Sequence, residues 1–194
     1  MTTLEGGLII AFLGERQEIA QTGNLLAKMS PTVAPAVTAN EYAETYLNRE
    51  EAALQNDPAP WNFSPCIFLN RGCCTIYPVR PFGCRSFNSI IPCPENDMAE
   101  VPPLVITVNA VCMQIIEHLD SDGGLWGNMA DVLKVLLAGP KRTEEQSRLL
   151  PARPNPGFLV PPSERESVGN FIYKLNAFFA NERSGTGCYK KTSF

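Results

Sequence analysis

Histidine is nearly absent from this chain: His118 is the only one in 194 residues. Any Ser–His–Asp or Cys–His mechanism would have one imidazole to draw on, and nothing in the sequence sets it beside a nucleophile. His118 follows Glu117 close to a predicted helix C-terminus and reads as a solvent-facing side chain. An excess of basic residues is also missing. Lys and Arg number 16 against 20 Asp and Glu, a net charge of −4. That excludes the strongly basic face of a nucleic-acid binder. No stretch approaches the ~20 apolar residues of a membrane-spanning helix. The short run Leu8 to Leu13 follows Glu5 and has neither a basic leader nor a small-residue cleavage site. It is therefore not expected to act as a signal peptide, and the expected location is the cytoplasm. Gly6-Gly7 and Gly123-Gly124 belong to no phosphate-binding glycine pattern and read as turns.

Cysteine is absent from the first 65 residues and then concentrated. Five of the seven cysteines fall between Pro58 and Pro94, in PAPWNFSPCIFLNRGCCTIYPVRPFGCRSFNSIIPCP. They are Cys66, Cys73, Cys74, Cys84 and Cys93. The same stretch contains no Asp or Glu, while Arg71, Arg80 and Arg85 lie among the cysteines. In a reducing cytoplasm, clustered thiols point to metal or catalysis before disulfides, and an odd count does not close a disulfide framework.

Outside that stretch the pattern is helical. Apolar spacing predicts a helix over 8–28, weakened by Gly14 and Gly23, and another over 39–55 opened by Thr38 and Glu41 as a capping box. Leu104, Val108, Val111, Cys112, Ile115, Ile116 and Leu119 form an apolar stripe for a helix over 104–119. A helix over 125–138 is stopped by Gly139-Pro140. The last, over 164–181, opens with Ser163 and Glu166 as a second capping box and has Val168, Phe171, Ile172, Leu175, Phe178 and Phe179 on its apolar side. Residues 58–103 show no period and read as irregular chain with short extended pieces. The expected fold is mainly α: a single helical domain over 1–183, an irregular Cys/Pro-rich segment at 58–94 between its helices, and a mobile tail at 184–194.

A long irregular segment inside a compact domain needs something to hold it. Thiolates are strong ligands for Zn²⁺ and for iron–sulfur clusters. Either centre on four thiolates keeps a net negative charge, so nearby cations and an absence of acids favour it. Cys66, Cys74, Cys84 and Cys93 are evenly spread and form the candidate ligand set, with Arg71, Arg80 and Arg85 as the supporting cations around it. None of the spacings is a CxxC knuckle, which argues against an ordinary zinc ribbon. Proline beside Cys66 and Cys93, and within Tyr77-Pro78 and Arg80-Pro81, stiffens the loops. The competing reading is that these cysteines are small buried hydrophobes among Ile67, Phe68, Ile76, Phe82 and Phe87. Cys112, on its helical stripe, reads as core; Cys188 as an exposed tail thiol; Cys73 as a bystander.

The run Cys66-Ile-Phe-Leu, then Gly72-x-Cys74-Thr-Ile-Tyr77, then Arg80-Pro81-x-x-Cys84-Arg85 resembles the YkgJ-like cysteine-cluster family, described as zinc- or iron-chelating. The resemblance covers about residues 65–93 and implies Cys66, Cys74 and Cys84 as ligands, with Cys93 as the fourth. The family's earlier CxxCxxCC cluster has no counterpart here, because residues 1–65 hold no cysteine.

The expected function is a metal-binding protein with one four-cysteine site, holding an iron–sulfur cluster or Zn²⁺. Two alternatives stand beside it. One is a protein-interaction module whose cysteine segment is structural or vestigial. The other is a metal-dependent redox or group-transfer enzyme, methylase-like by resemblance. The expected partners are a metal and, for the module, a protein, with neither nucleic acid nor membrane.

Overall fold

Thr2 and Glu5 start the first helix. The Thr2 hydroxyl accepts the Glu5 N–H and the Glu5 carboxylate accepts the Thr2 N–H, a reciprocal capping box. Helix α1 then spans Thr3–Glu15 and α2 spans Ile19–Ala27. The structure is a computed structural model that describes residues 1–30, 33–48, 66–86, 90, 100–139 and 144–184. The predicted single helix over 8–28 is thus two helices, broken where Gln17 takes a left-handed φ of 59°. Gly6-Gly7 is not a turn but lies inside α1.

Helix α3 is Ala39–Leu47; the predicted continuation to residue 55 lies outside the described residues. Only half of its expected capping box forms: Thr38 Oγ1 accepts the Glu41 N–H at 3.1 Å, while the Glu41 carboxylate pairs with Arg153 at 3.0 Å. After the cysteine segment, α5 spans Pro103–Leu119, α6 Met129–Ala138 and α7 Arg165–Ser184, with a single helical turn, α4, at Phe82–Arg85. Leu125–Trp126, expected to open a helix, instead forms strand β3, paired antiparallel with β4 at Leu150–Pro151. Gly139, at φ 63°, ends α6 as expected. Ser163 does not cap α7, because it lies within a 3₁₀ turn, Pro162–Glu164, that runs into that helix. The fold is mainly α, and among the described residues no helix is long and apolar enough to cross a membrane.

The core sits where α1, α2 and α6 meet. Ile9, Leu13, Leu26, Ala130 and Leu133 are buried together, and Phe68 and Ile76 from the cysteine segment are buried with them. Two apolar faces differ from expectation. On α5 the buried positions are Thr107, Val111, Gln114 and Glu117, while Leu104 and Leu119 are exposed. That line faces backbone groups, which require polar partners when buried. Gln114 donates to the Gly157 carbonyl, and Glu117 accepts from Asn40 and Arg153. Cys112 is only half-buried, beside this line rather than in the core. On α7, Val168 is buried but Phe178 and Phe179 are exposed. The predicted tail at 184–194 lies outside the described residues except for Ser184.

Candidate functional site

The cysteine segment is organised by short-range rules that its sequence carries. Strand β1, Leu69–Asn70, pairs antiparallel with β2, Cys73–Cys74, in the register Leu69↔Cys74 and Asn70↔Cys73. The two residues between the strands, Arg71 and Gly72, both have positive φ, 49° and 79°. Two successive positive φ values mark the turn whose twist matches a tight hairpin. Thr75 closes the hairpin base by donating its N–H to the Phe68 carbonyl at 2.8 Å. The chain then makes a 3₁₀ turn at Tyr77–Val79 and, after Pro81, the α4 turn that carries Cys84.

Two anchors fix this path to the helices, and a third contact braces it internally. Phe68 and Ile76 plug into the core. The Glu5 carboxylate accepts the Phe82 N–H at 2.6 Å, joining α1 to the first turn of α4. Arg85 donates to the carbonyls of Arg80 at 2.9 Å, Pro78 at 2.7 Å and Tyr77 at 3.4 Å, tying α4 to the 3₁₀ turn before it. Among the described residues the segment is therefore held by apolar anchors and polar struts.

Cys66 precedes the hairpin, Cys74 is on its second strand and Cys84 is on α4. Cys66, Cys73 and Cys84 are exposed, and Cys74 is half-buried against the edge of the core. The three predicted ligands are electrostatic neighbours. Partial desolvation by its surroundings pushes the Cys84 thiol above its ordinary pKa, the nearby Cys66 and Cys74 thiols push it further, Arg80 opposes them, and Glu5 adds a smaller upward push. Even so, among the described residues no group of three or more Cys, His, Asp or Glu is placed to hold a metal ion. In this arrangement the three thiols are neighbours and not a ligand shell. Cys93, the expected fourth ligand, and Cys188 lie outside the described residues.

The arginines divide. Arg80 stacks its guanidinium over the Tyr77 ring at 3.9 Å and is the cation that favours an ionised Cys84. Its Nε is buried with no hydrogen-bond partner among the described residues. Arg85 is committed to backbone carbonyls, and Arg71 is the exposed first residue of the hairpin turn. Of the three arginines, Arg80 is thus the one that acts on the Cys84 thiol. The exposed His118 side chain accepts a long 3.4 Å contact from the Asn155 N–H at Nδ1.

The sequence reading missed Glu5. The segment contains no acid of its own, but the fold delivers one from 77 positions away. The one signal for it was the Thr2-x-x-Glu5 spacing at the start of α1. The donor chemistry of Cys66, Cys74 and Cys84 suits a thiophilic metal, while their spacing in this structure does not by itself make a site. A cavity of ≈ 480 Å³ lies between α3 and α5, lined by Tyr42, Ile106, Ala110, Met113 and Leu159, and none of the described cysteines lines it. Comparisons with protein-family models, curated proteins and solved structures found no match.

Proposed function

We propose that this chain is a metal-binding protein that takes an iron–sulfur cluster or Zn²⁺ on the thiolates of Cys66, Cys74 and Cys84, with Cys93 as fourth ligand. The supporting observation is that Cys66, ahead of the hairpin, and Cys74, on its second strand, both oppose ionisation of Cys84 on α4. Neighbouring thiols repel one another when ionised, and a bound cation removes that repulsion. Arg80 supplies part of the compensation without metal. A bound metal would supply the rest, and uptake would draw the thiols together from their present spacing. The resemblance of residues 65–93 to the YkgJ-like cluster agrees with this reading.

Anaerobic purification followed by elemental analysis and visible absorbance tests it. Iron with matching sulfide and thiolate-to-iron absorbance supports the cluster. A colourless protein with one zinc per chain supports zinc. Protein that stays metal-free after incubation with zinc, and after iron–sulfur reconstitution, overturns both. In Cys84→Ser the bound metal should fall to the level of non-specific binding.

A second reading, an interaction module, draws on α7. Tyr173 and Phe178 there are 74% and 59% exposed, more than a solvated helix needs. If α7 is a docking face, Tyr173→Ser with Phe178→Ser reduces self-association, or capture of a protein partner, without lowering the melting temperature. An unchanged association profile would remove this reading.

A further inference from the structure

Glu5 sits at a junction that the cysteine pattern does not account for. One carboxylate oxygen, Oε2, accepts the Thr2 N–H at 2.9 Å and so belongs to the start of α1. The other, Oε1, accepts the Phe82 N–H at 2.6 Å. Phe82 opens α4, the turn that carries Cys84 two residues later. The strut is not isolated, since α1 also packs on the Tyr77–Val79 turn just before α4. Cys66 and Cys74 reach the core by another route, through Phe68 and Ile76. Within α4 itself the backbone bonds of Cys84 and Arg85 go only to Pro81. Among the described residues the Glu5 bond ties the first N–H of α4 to α1, while Asn109 of α5 donates to the Ser86 carbonyl at the other end of the turn.

We propose that Glu5 is the positioning residue of the thiol site, its carboxylate strapping the turn that carries Cys84 to α1 so that Cys84 faces Cys66 and Cys74. This rests on the reading that the three thiols act together. A charge-assisted bond to a backbone N–H is short and directional, so it fixes the turn more tightly than a neutral contact would. A carboxylate beside thiols is otherwise a poor choice, because it opposes their ionisation. Its presence is explained if both oxygens serve as acceptors for N–H groups that the fold must fix.

The test is made on metal-free full-length protein with Cys73→Ser as the parent, so that the adjacent Cys73–Cys74 pair does not report. The probe is phenylarsine oxide, whose arsenic bonds two neighbouring thiol sulfurs and releases water, with no change in oxidation state. Bridging of Cys84 to Cys66 or Cys74 is mapped by mass spectrometry. Glu5→Ala should weaken arsenical binding at Cys84 by about tenfold, the loss expected when a preorganised pair is freed. Glu5→Gln, which keeps one neutral acceptor oxygen for Phe82, should bind more tightly than Glu5→Ala and more weakly than the parent, within about threefold of the parent. Thr2→Ala, which removes the hydroxyl half of the α1 cap but keeps the Thr2 N–H bond to Glu5, should bind like the parent. If Glu5→Ala does not fold by circular dichroism, Glu5→Asp, one methylene shorter, should show the same weakening.

Parent-like binding in Glu5→Ala or Glu5→Asp overturns the proposal. So does Glu5→Gln binding as weakly as Glu5→Ala, or Thr2→Ala matching Glu5→Ala. A parent that captures the arsenical at Cys84 but takes up no zinc or iron removes the metal reading and leaves this one standing. A parent that fails to bridge Cys84 overturns this proposal, while the metal reading stands or falls on the uptake measurement.

Discussion

The buried carboxylate of Glu117 accepts the backbone N–H of Asn40 at 2.9 Å, joining the last turn of α5 to the first turn of α3. Its other oxygen accepts the N–H of Arg153 at 2.9 Å. The Asn40 side chain completes the knot by donating to the carbonyls of Gln114 and Arg153. One carboxylate thus satisfies two backbone donors that would otherwise be orphaned. Each buried unpaired donor costs about 1–3 kcal/mol. Glu117→Leu should therefore lower the unfolding free energy by about 3 kcal/mol, read by urea titration. Glu117→Gln, which keeps one acceptor, should cost about half as much. A loss below about 1 kcal/mol in Glu117→Leu would mean that water takes over both donors.

Gly6 and Gly7 are neighbours in α1 with opposite surroundings. A Cβ on Gly6 would lie 2.6 Å from Leu136 Cδ1 and 2.9 Å from Val132 Cγ1, whereas one on Gly7 would meet nothing within 4 Å. Leu136 can turn its tip aside, but Val132 is β-branched on a helix and has little rotamer freedom. Alanine gains about the same helix propensity at both positions, up to about 1 kcal/mol. The difference between the variants therefore isolates the packing of α1 on α6. Gly7→Ala should stabilise the protein, and Gly6→Ala should be less stable than Gly7→Ala by about 1–3 kcal/mol, the usual cost of overpacking. Equal melting temperatures would show that α1 and α6 can separate at no cost.

These two sites mark how far the sequence could be read. Helix positions were legible where apolar period and stop signals agree, as in α5 and in α6 ending at Gly139. The α1–α2 break was not, because Gln17 carries no signal for the left-handed backbone it adopts. Gly6 looks like a turn residue in one dimension, and only the approach of Val132 shows why a small residue is needed there. The buried face of α5 was misread because Gln114 and Glu117 are buried for the loop backbone they satisfy, a requirement that hydropathy does not encode. In the cysteine segment, the even spread singled out Cys66, Cys74, Cys84 and Cys93, the last outside the described residues, whereas the Glu5 contact was invisible because it spans 77 positions. Arg85 was legible as a cation in the segment, but its targets are carbonyls rather than sulfur.

That choice of targets yields a third expectation. Arg85 is exposed, yet its guanidinium gathers the carbonyls of Tyr77, Pro78 and Arg80. A planar fork of N–H donors can serve several carbonyls at once, while a lysine ammonium on a flexible stem cannot hold the same geometry. Arg85→Lys keeps the charge and loses the clamp. Hydrogen exchange at the Val79 and Cys84 amides should then speed up by about tenfold, corresponding to about 1.4 kcal/mol of local stability, with global unfolding little changed. If Arg85→Lys protects these amides as well as the wild type does, charge near the sulfurs, and not the clamp, is what the arginine provides.

The last expectation concerns alkaline pH in metal-free protein. Partial desolvation raises the pKa of half-buried Cys112, and partial desolvation together with the Cys66 and Cys74 thiols raises that of Cys84. A thiol whose folded pKa is raised holds its proton more tightly folded than unfolded. The stability it contributes is complete below the unfolded thiol pKa of about 8.5. It is lost as pH climbs from there through the folded value, because the unfolded chain then binds fewer protons. The difference in unfolding free energy between wild type and Cys112→Ser should accordingly shrink between about pH 8 and about pH 10. Cys84→Ser should behave the same way, with a smaller pH dependence in a Cys66→Ser background, where one of the opposing thiols is gone. In that background Cys84 should also be alkylated at lower pH than in the wild type. A wild-type-to-variant difference that stays flat across this range would show that neither thiol is protected by the fold. An alkylation midpoint for Cys84 unmoved by Cys66→Ser would show that the two thiols do not sense each other.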